Sequence, residues 1–346
     1  MSRHTAAIVG SSGYTGGELL RLLLSHSGID VVAVTSRKRA KRPVARIHPN
    51  LRDITRLKFI DPVDLPEVDV LFLALPHGAA MENIHEYMSR SKLVIDLSSD
   101  FRLNDSSSYV TYYGQKHPDP DLLEQFVYGL PELHRETIRE ARLIAIPGCT
   151  ATGAILPIKP IVEALRVNLI VVDAKVGSSA AGAGVNMSTH HPERSGVVRS
   201  YKPSGHRHLA EMQQELNSNG SISFNFSPHA VEMVRGIQST IHIFLEDDYE
   251  EKEIWQIYLQ AYREEPFVRL VKERGGIYRF PEPKMVMGTN LCEIGFEKDE
   301  KTGRLVIMSA IDNLMKGAAG QAVQCMNLAL GFEETEGLNV VGYHPV

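Results

Sequence analysis

Thr5-Ala6-Ala7-Ile8-Val9-Gly10-Ser11-Ser12-Gly13-Tyr14-Thr15-Gly16 is the stretch that decides the fold. It opens with a short apolar run, TAAIV at 5–9, that stops at Gly10, and from Thr15 to His26 apolar residues recur at helical spacing. The order is strand, glycine-rich turn, helix. Glycines at 10, 13 and 16 let backbone N–H groups approach a pyrophosphate at a helix N-terminus, where the helix dipole favours anions. An ordinary turn could show the same spacing; the place straight after the first strand favours a dinucleotide. Gly10, Ser11, Ser12, Gly13, Tyr14, Thr15 and Gly16 are therefore the expected cradle.

Working outward, continuous apolar runs lie at VVAV 31–34, DVLFLAL 69–75, LVIDL 93–97 and RLIAI 142–146, with a helical pattern from Ala79 to Met88 between two of them. Such runs suit strands buried on both faces, and their alternation with helices predicts an α/β, doubly wound, Rossmann-type parallel sheet with right-handed crossovers. After Cys149 the texture changes. A helical stretch, TATGAILPIKPIVEAL, leads to LIVVDAKV (169–176), ISFNFSP (222–228) and GIQSTIHIFLE (236–246), where apolar and polar residues alternate. With one charged helix, Glu250 to Glu264, these predict an α+β domain built on a mixed sheet. A last helix, Asn313 to about Leu330, is expected to return to the first domain.

Composition narrows the function. In 346 residues, 43% are hydrophobic and 23% charged, which excludes collagen-like, disordered and disulfide-scaffold chains. Cys149, Cys292 and Cys325 are far apart and form no CxxC pair, so neither a disulfide framework nor a cysteine zinc site is expected. No apolar run approaches the roughly 18 residues of a membrane span, and MSRHTAAIVG has no secretory apolar stretch, so a cytoplasmic protein with no membrane partner is expected. A net charge of -5 gives no global attraction for nucleic acid.

The segment after the second strand reads Thr35-Ser36-Arg37-Lys38-Arg39-Ala40-Lys41-Arg42. An acid there would accept from the ribose 2′-OH of NAD, whereas cations suit the 2′-phosphate of NADP. No acid is present, so NADP is expected, with Ser36, Arg37 and Lys38 as contacts. A run of cations can also be plain solvated surface; its location decides for the cofactor.

Cys149 sits in Ile146-Pro147-Gly148-Cys149-Thr150, between a predicted strand and a predicted helix. Exposed N–H groups and the dipole stabilise a thiolate there, and neighbouring amides can hold an oxyanion. Cys292 and Cys325, on a predicted strand and helix, read as inert core thiols. Downstream, His190-His191-Pro192-Glu193-Arg194 and His206-Arg207-His208 bring four imidazoles. HxH spacing can chelate zinc, but no cysteine or carboxylate completes a ligand set, so no metal is expected. General acid–base work by His206 or His208 fits better. Between 186 and 208 four Lys or Arg stand against one Glu, a patch suited to an anionic substrate.

Gly10 to Gly16, Leu75-Pro76-His77-Gly78, Asp96-Leu97-Ser98-Ser99-Asp100-Phe101-Arg102, Pro147-Gly148-Cys149 and Gly205-His206-Arg207-His208 together resemble the N-acetyl-γ-glutamyl-phosphate reductases, NADPH-dependent relatives in fold of aspartate-semialdehyde dehydrogenase. His48-Pro49-Asn50-Leu51-Arg52, Ser178 to Ala183, His190 to Gly196, Tyr201-Lys202-Pro203 and Ala310 to Leu314 look most like one branch, the reductases of LysW-carrier-linked L-2-aminoadipate 6-phosphate, whose archaeal members also serve carrier-linked glutamyl phosphate. The resemblance implies an NADP domain over 1–148 completed by 313–346, and a catalytic and oligomerisation domain over 149–312. It implies that Cys149 forms a thioester from the acyl phosphate, that His206 handles the proton, and that hydride from NADPH yields the semialdehyde of lysine, and in some members arginine, biosynthesis. Asn313 and Gly317 are its implied contacts to the nicotinamide end. Ser99, Arg102, Arg194, Arg199, Tyr201, Lys202 and His208 are expected at the substrate, with Arg102 either on the phosphate or paired with Asp100. A small acidic amino-group carrier protein and a homodimer or homotetramer are the implied partners; the free acetylated glutamyl substrate is the alternative. A thiol amidase would leave the glycine turn unused, and a nucleic-acid binder would leave the cysteine unused. The reductase uses both.

Overall fold

A computed structural model describes residues 3–216 and 222–345; Met1, Ser2, 217–221 and Val346, including the outer ends of the domain spans expected above, lie outside the described residues. The chain divides into two compact units. One runs to Pro147 and takes in Ala318–Asn339; the other is Gly148–Gly317 with the residues from Val340 on.

The first unit holds a six-stranded, wholly parallel sheet of β1 (His4–Val9), β2 (Ile29–Val34), β3 (Val68–Leu73), β4 (Ser91–Asp96), β5 (Val127–Tyr128) and β6 (Leu143–Ala145), in the order β2-β1-β3-β4-β6-β5. Ala6, Ala7, Ile8, Val70, Leu71 and Phe72 are fully buried, which is why the middles of these two strands are apolar. From β1 the chain pairs to one side with β2 and to the other with β3. That reversal makes the carboxyl end of β1 the topological switch point, where doubly wound sheets bind ligands. The glycine turn and helix α1 (Tyr14–Leu24) follow it directly.

Two local readings change. The helix expected over Ala79–Met88 shrinks to Ile84–Ser89 because the buried carboxylate of Asp100 accepts from the amides of Gly78, Ala80 and Met81, holding that stretch as turns. The edge strand β5, only two residues long, has no alternation by which to be read.

The second unit carries a mixed seven-stranded sheet of β7 (Val167–Val176), β8 (Val198–Ser200), β9 (Ser223–Val231), β10 (Ile237–Leu245), β11 (Val268–Leu270), β12 (Cys292–Lys298) and β13 (Leu305–Ile311). Its order is β11-β12-β13-β10-β7-β9-β8, antiparallel except for the β7–β9 and β11–β12 pairs. Across it lies the helix Cys149–Ala164. Pro157 and Pro160 remove two amides from that helix, freeing the carbonyls four residues earlier. Both are satisfied from outside: Ser309 Oγ donates to Gly153 O at 2.5 Å, and Tyr262 Oη donates to Leu156 O at 2.6 Å. The prolines therefore tie the helix to β13 and to the charged helix Glu251–Tyr262. Cys292 and Cys325 are buried, in β12 and in the C-terminal helix Gly320–Leu330.

Tyr262→Phe leaves the Leu156 carbonyl buried without its hydroxyl and should cost about 1–3 kcal/mol of unfolding free energy in urea titration. An unchanged midpoint would show that the proline helix does not depend on this bond.

Candidate active site

The glycine turn in the first unit is built for an anion. Gly10 has φ of +82°, and a side chain on it would stand 2.4 Å from the carbonyl oxygen of Ala74. Helix α1 has Gly13 as its N-cap, with no side-chain capping bond and no acid in its first turn. Its first amides thus have no intrahelical partner and no competing carboxylate. Thr35 braces the turn: its carbonyl accepts from Ser11 N (3.1 Å) and from Ser11 Oγ (3.2 Å), and its Oγ1 accepts from Gly10 N (3.4 Å). Ser12 Oγ and Ser36 Oγ share a bond of 2.9 Å, bringing the turn and the end of β2 together. Arg37 and Lys38 follow in an exposed 3-10 turn and form no ion pair among the described residues. Tyr14 is 49% exposed at the helix start.

In the second unit Cys149 is the first residue of its helix, half-buried, in no disulfide, with Gly148 as N-cap and no acid in the first turn. A side chain on Gly317 would lie 2.7 Å from Cys149 Cβ, so the backbone of the Met315–Ala319 π-turn passes directly against the cysteine. Cys149 opens into a cavity of about 290 Å³ with Ser178, Arg194, Arg199, Tyr201 and His206 on its walls. The phenol of Tyr201 is pushed up to about 12, by burial first and then by the negative charge available at Cys149.

Two guanidiniums crowd this cavity. Arg194 Nη2 donates to Val176 O at 2.9 Å, while its Nε is buried with no hydrogen-bond partner among the described residues. Burial, then the Arg199 charge, holds its pKa below the usual arginine value. Arg199 Nη2 donates to Glu193 O at 2.9 Å. A buried donor without an acceptor, next to a like charge, is the setting an anion relieves. Lys202 and Arg207 are exposed and make no ion pair among the described residues.

His206 faces Tyr201 (ring centroids 6.1 Å), His208 (4.8 Å) and Phe226 (5.2 Å). Its pKa falls to about 4 through burial, then Arg207 and Lys202. The backbone N–H of His208 donates to its Nδ1 at 3.2 Å, so the neutral ring carries its proton on Nε2. His208 itself is buried, its Nδ1 bonded to Thr150 Oγ1 at 2.5 Å.

Three expected residues have other surroundings. Arg102 is buried and its Nε and Nη2 donate to the carbonyls of Ile146 (2.7 Å) and Leu97 (3.2 Å). A guanidinium so occupied braces the ends of β4 and β6, and neither the phosphate role nor a pairing with Asp100 is supported by these bonds. Ser99 Oγ is bonded to His77 Nδ1 at 3.0 Å in the same unit. Asn313 is buried, its Oδ1 accepting from Gly236 N at 2.8 Å and its Nδ2 donating to Ser179 Oγ at 3.0 Å. Its amide therefore locks the end of β13 to the start of β10. Residues missed by sequence reasoning include Thr35, Glu211, whose buried carboxylate accepts from Gly148 N at 2.8 Å, and Asp312, which takes the amides of Gly288 (2.7 Å) and Leu314 (2.8 Å). The spacing of His208 and Glu211, three apart at the start of a helix, was the available signal for Glu211. Among the described residues no group of three His, Cys, Asp or Glu is set to hold a metal ion, and no helix is long and apolar enough to cross a membrane.

The first unit is a parallel, doubly wound sheet with a glycine turn, and the second a mixed sheet with a cysteine at a helix N-terminus. Residues 5–141 match the family described as semialdehyde dehydrogenase, NAD binding domain, and residues 149–313 match semialdehyde dehydrogenase, dimerisation domain. Solved structures agree in fold: aspartate semialdehyde dehydrogenase II of Vibrio cholerae superposes with a TM-score of 0.74 at 17% identity over 95% of this chain and 99% of that one. The Candida albicans aspartate semialdehyde dehydrogenase with NADP gives 0.69 at 14% over 94% and 98%. The chain belongs to the semialdehyde dehydrogenase family, in the branch of the LysW-L-2-aminoadipate and LysW-L-glutamate phosphate reductases. The Deinococcus radiodurans LysW-L-2-aminoadipate 6-phosphate reductase is 50% identical over 345 residues, 99% of each chain. A Thermomicrobium roseum protein assigned the same name is 54% identical over 349 residues, 99% of each. A Haloquadratum walsbyi protein assigned as LysW-L-2-aminoadipate/LysW-L-glutamate phosphate reductase is 49% identical over 349 residues, 100% of this chain and 99% of its own. It is thus an oxidoreductase with a nicotinamide-cofactor domain.

The depressed pKa of His206 makes a stability prediction. The unfolded imidazole takes its proton near 6.5 and the folded one near 4, so acidification through that window favours the unfolded chain and stability falls as pH falls. Asp96, raised to about 7 by burial and Asp100, acts in the opposite sense, binding its proton in the folded state first. The difference between wild type and His206→Asn isolates the histidine. Denaturant midpoints at pH 7 and pH 5 should show the wild type losing ground to the variant on acidification; parallel curves would contradict the assigned neutral state.

Proposed function

We propose that this protein reduces a carrier-linked 2-aminoadipyl 6-phosphate to the semialdehyde, releasing inorganic phosphate, with NADPH as reductant and a thioester on Cys149 as intermediate. The observation that carries the chemistry is Cys149 at a helix N-terminus, opening into a cavity with Arg194, Arg199 and His206 on its walls. The end-to-end likeness to reductases named for LysW-linked substrates supports the carrier, and the glutamyl names among them support the shorter acyl chain as a second substrate.

The Cys149 thiolate attacks the acyl carbon; a C–S bond forms, the bond from carbon to the phosphate oxygen breaks, and phosphate leaves with the electron pair. Arg194, with its unpartnered buried Nε, and Arg199 hold the anion through charge-assisted bonds. A reduced nicotinamide held through the glycine turn would supply the hydride for the thioester carbon. Negative charge then builds on the thioester oxygen, where the Nε2–H of neutral His206 can donate, and the C–S bond breaks to return the thiolate and free the aldehyde. Replacing the acyl phosphate by a thioester splits one hard step into two.

Helix α1 and Gly10 to Gly16 suit a pyrophosphate, and Ser36, Arg37 and Lys38 suit a 2′-phosphate in a site without an acid. Gly317, whose backbone passes against Cys149, is the site residue through which the nicotinamide end would meet the thiol. On the outside, Arg199, Lys202 and Arg207 leave a cationic rim that would steer an acidic carrier. The protein would act as an oligomer in the cytoplasm.

Cys149→Ser should abolish phosphate-dependent reduction of NADP by semialdehyde while leaving NADPH binding within twofold; retained turnover removes the nucleophile. Arg37→Ala with Lys38→Ala should weaken NADPH at least about tenfold more than NADH, the loss expected when charge-assisted bonds worth about 1.4 kcal/mol or more are removed; equal weakening would mean the loop does not read the 2′-phosphate. Turnover of carrier-linked aminoadipyl phosphate, carrier-linked glutamyl phosphate and free N-acetyl-γ-glutamyl phosphate, compared side by side, tests the substrate. Faster use of the free acetylated compound would overturn the carrier reading.

A further inference from the structure

We infer that Glu211 is a positioning residue for Cys149, acting through the two residues that flank it; the inference rests on the proposed role of that cysteine. Glu211 and His208 lie three apart on the helix His208–Leu216 and so share one face. That face meets the turn at the head of the Cys149 helix. Glu211 is fully buried, and its Oε2 accepts from the amide of Gly148 at 2.8 Å. Keeping a carboxylate in the interior is costly unless it is hydrogen-bonded, so this contact is strongly specified. His208 covers the same turn from above: a side chain on Gly148 would lie 2.5 Å from its Nε2, and its Nδ1 is bonded to Thr150 Oγ1.

Residues 148 and 150 are therefore gripped by one helix, while the backbone at Gly317 abuts Cys149 Cβ. Cys149 itself lines the cavity. The grip has a second effect. Because Gly148 N–H is committed to Glu211, it cannot serve an oxyanion, and that work passes to amides further into the first turn and to His206. Loss of Glu211 would free the Gly148 amide and loosen the turn, displacing the sulfur by the sub-ångström to ångström amounts that reduce rates by up to about a hundredfold.

The test compares Glu211→Gln, Glu211→Ala and Glu211→Asp in the full chain with NADPH. Gln keeps an oxygen at the right reach, so it should retain at least about half of wild-type kcat. Ala, and Asp with its carboxylate one methylene short, should lower kcat at least about tenfold, with KM and NADPH affinity within twofold. The rate of Cys149 alkylation by iodoacetamide should follow the same order at every pH between 6 and 9; it needs no substrate, so it answers even if the acyl phosphate is wrongly assigned. Gln as slow as Ala would overturn the inference, as would wild-type kcat in Asp or in Ala. Should Ala fail to fold, the Gln–Asp pair decides on the same terms.

Discussion

At the head of the Cys149 helix there is no room for a side chain at Gly148, nor at Gly317 beside the cysteine. The imidazole of His208 occupies the space over Gly148, and the Gly317 backbone occupies the space beside Cys149 Cβ. Both contacts demand that distant pieces of chain arrive at fixed heights. The helix from His208 delivers the imidazole, and β13 followed by Asp312 and Asn313 delivers the π-turn. Asp312 fixes that delivery, since its buried carboxylate accepts from Gly288, Leu314 and Met315 amides and pairs with Arg235 at 2.9 Å. The helix itself is anchored by two hydroxyls that replace the amides its prolines lack. A loss at any of these points is felt at the thiol because close-packed interiors transmit displacement.

The two units use one device in two ways. Each places a helix N-terminus just after a strand of the first sheet or its continuation, with glycine as N-cap, no side-chain capping bond and no acid in the first turn. Both leave backbone donors and the positive end of the dipole open to an anion. In the first unit the turn is all backbone and hydroxyl, which suits a pyrophosphate that must lie close. In the second, a single amide is withdrawn by Glu211 and two guanidiniums are added, which suits a group that arrives, reacts and leaves.

Much of this was legible in the sequence because it rests on local pattern. Buried parallel strands must be continuous apolar runs, so β1 to β4 and β6 were readable within about two residues, and the glycine turn could be placed because it follows β1. Cys149 was readable because Pro147-Gly148 marks a strand end and the residues after it have helical composition. What local pattern cannot carry is which polar group meets which. Arg102 looks like an anion ligand in sequence, and only the structure shows the bonds of its Nε and Nη2 to the carbonyls of Ile146 and Leu97. Asn313 reads as a cofactor contact by resemblance, yet its side chain is engaged by Ser179 and Gly236, partners 134 and 77 residues away. Glu211 carried one local signal, its spacing from His208, but a glutamate in a helix of mixed polarity looks solvated until the turn it holds, 63 residues back, is known. The shortening of the Ile84–Ser89 helix likewise comes from Asp100, a residue outside the helical pattern.

The cations around His206 serve two ends at once. Arg207 and Lys202, with burial, hold its imidazole neutral at physiological pH, and the His208 amide at Nδ1 keeps the proton on Nε2. On the proposed mechanism an incoming acyl phosphate would bring opposing negative charge to the same cationic region and raise the imidazole's proton affinity during acylation. Departure of phosphate with acylation would remove that charge before hydride arrives, so in the reduction step the ring would again be neutral and donate through Nε2–H. On that reading the charge of the histidine would follow occupancy of the anion site, with the same cations acting on both.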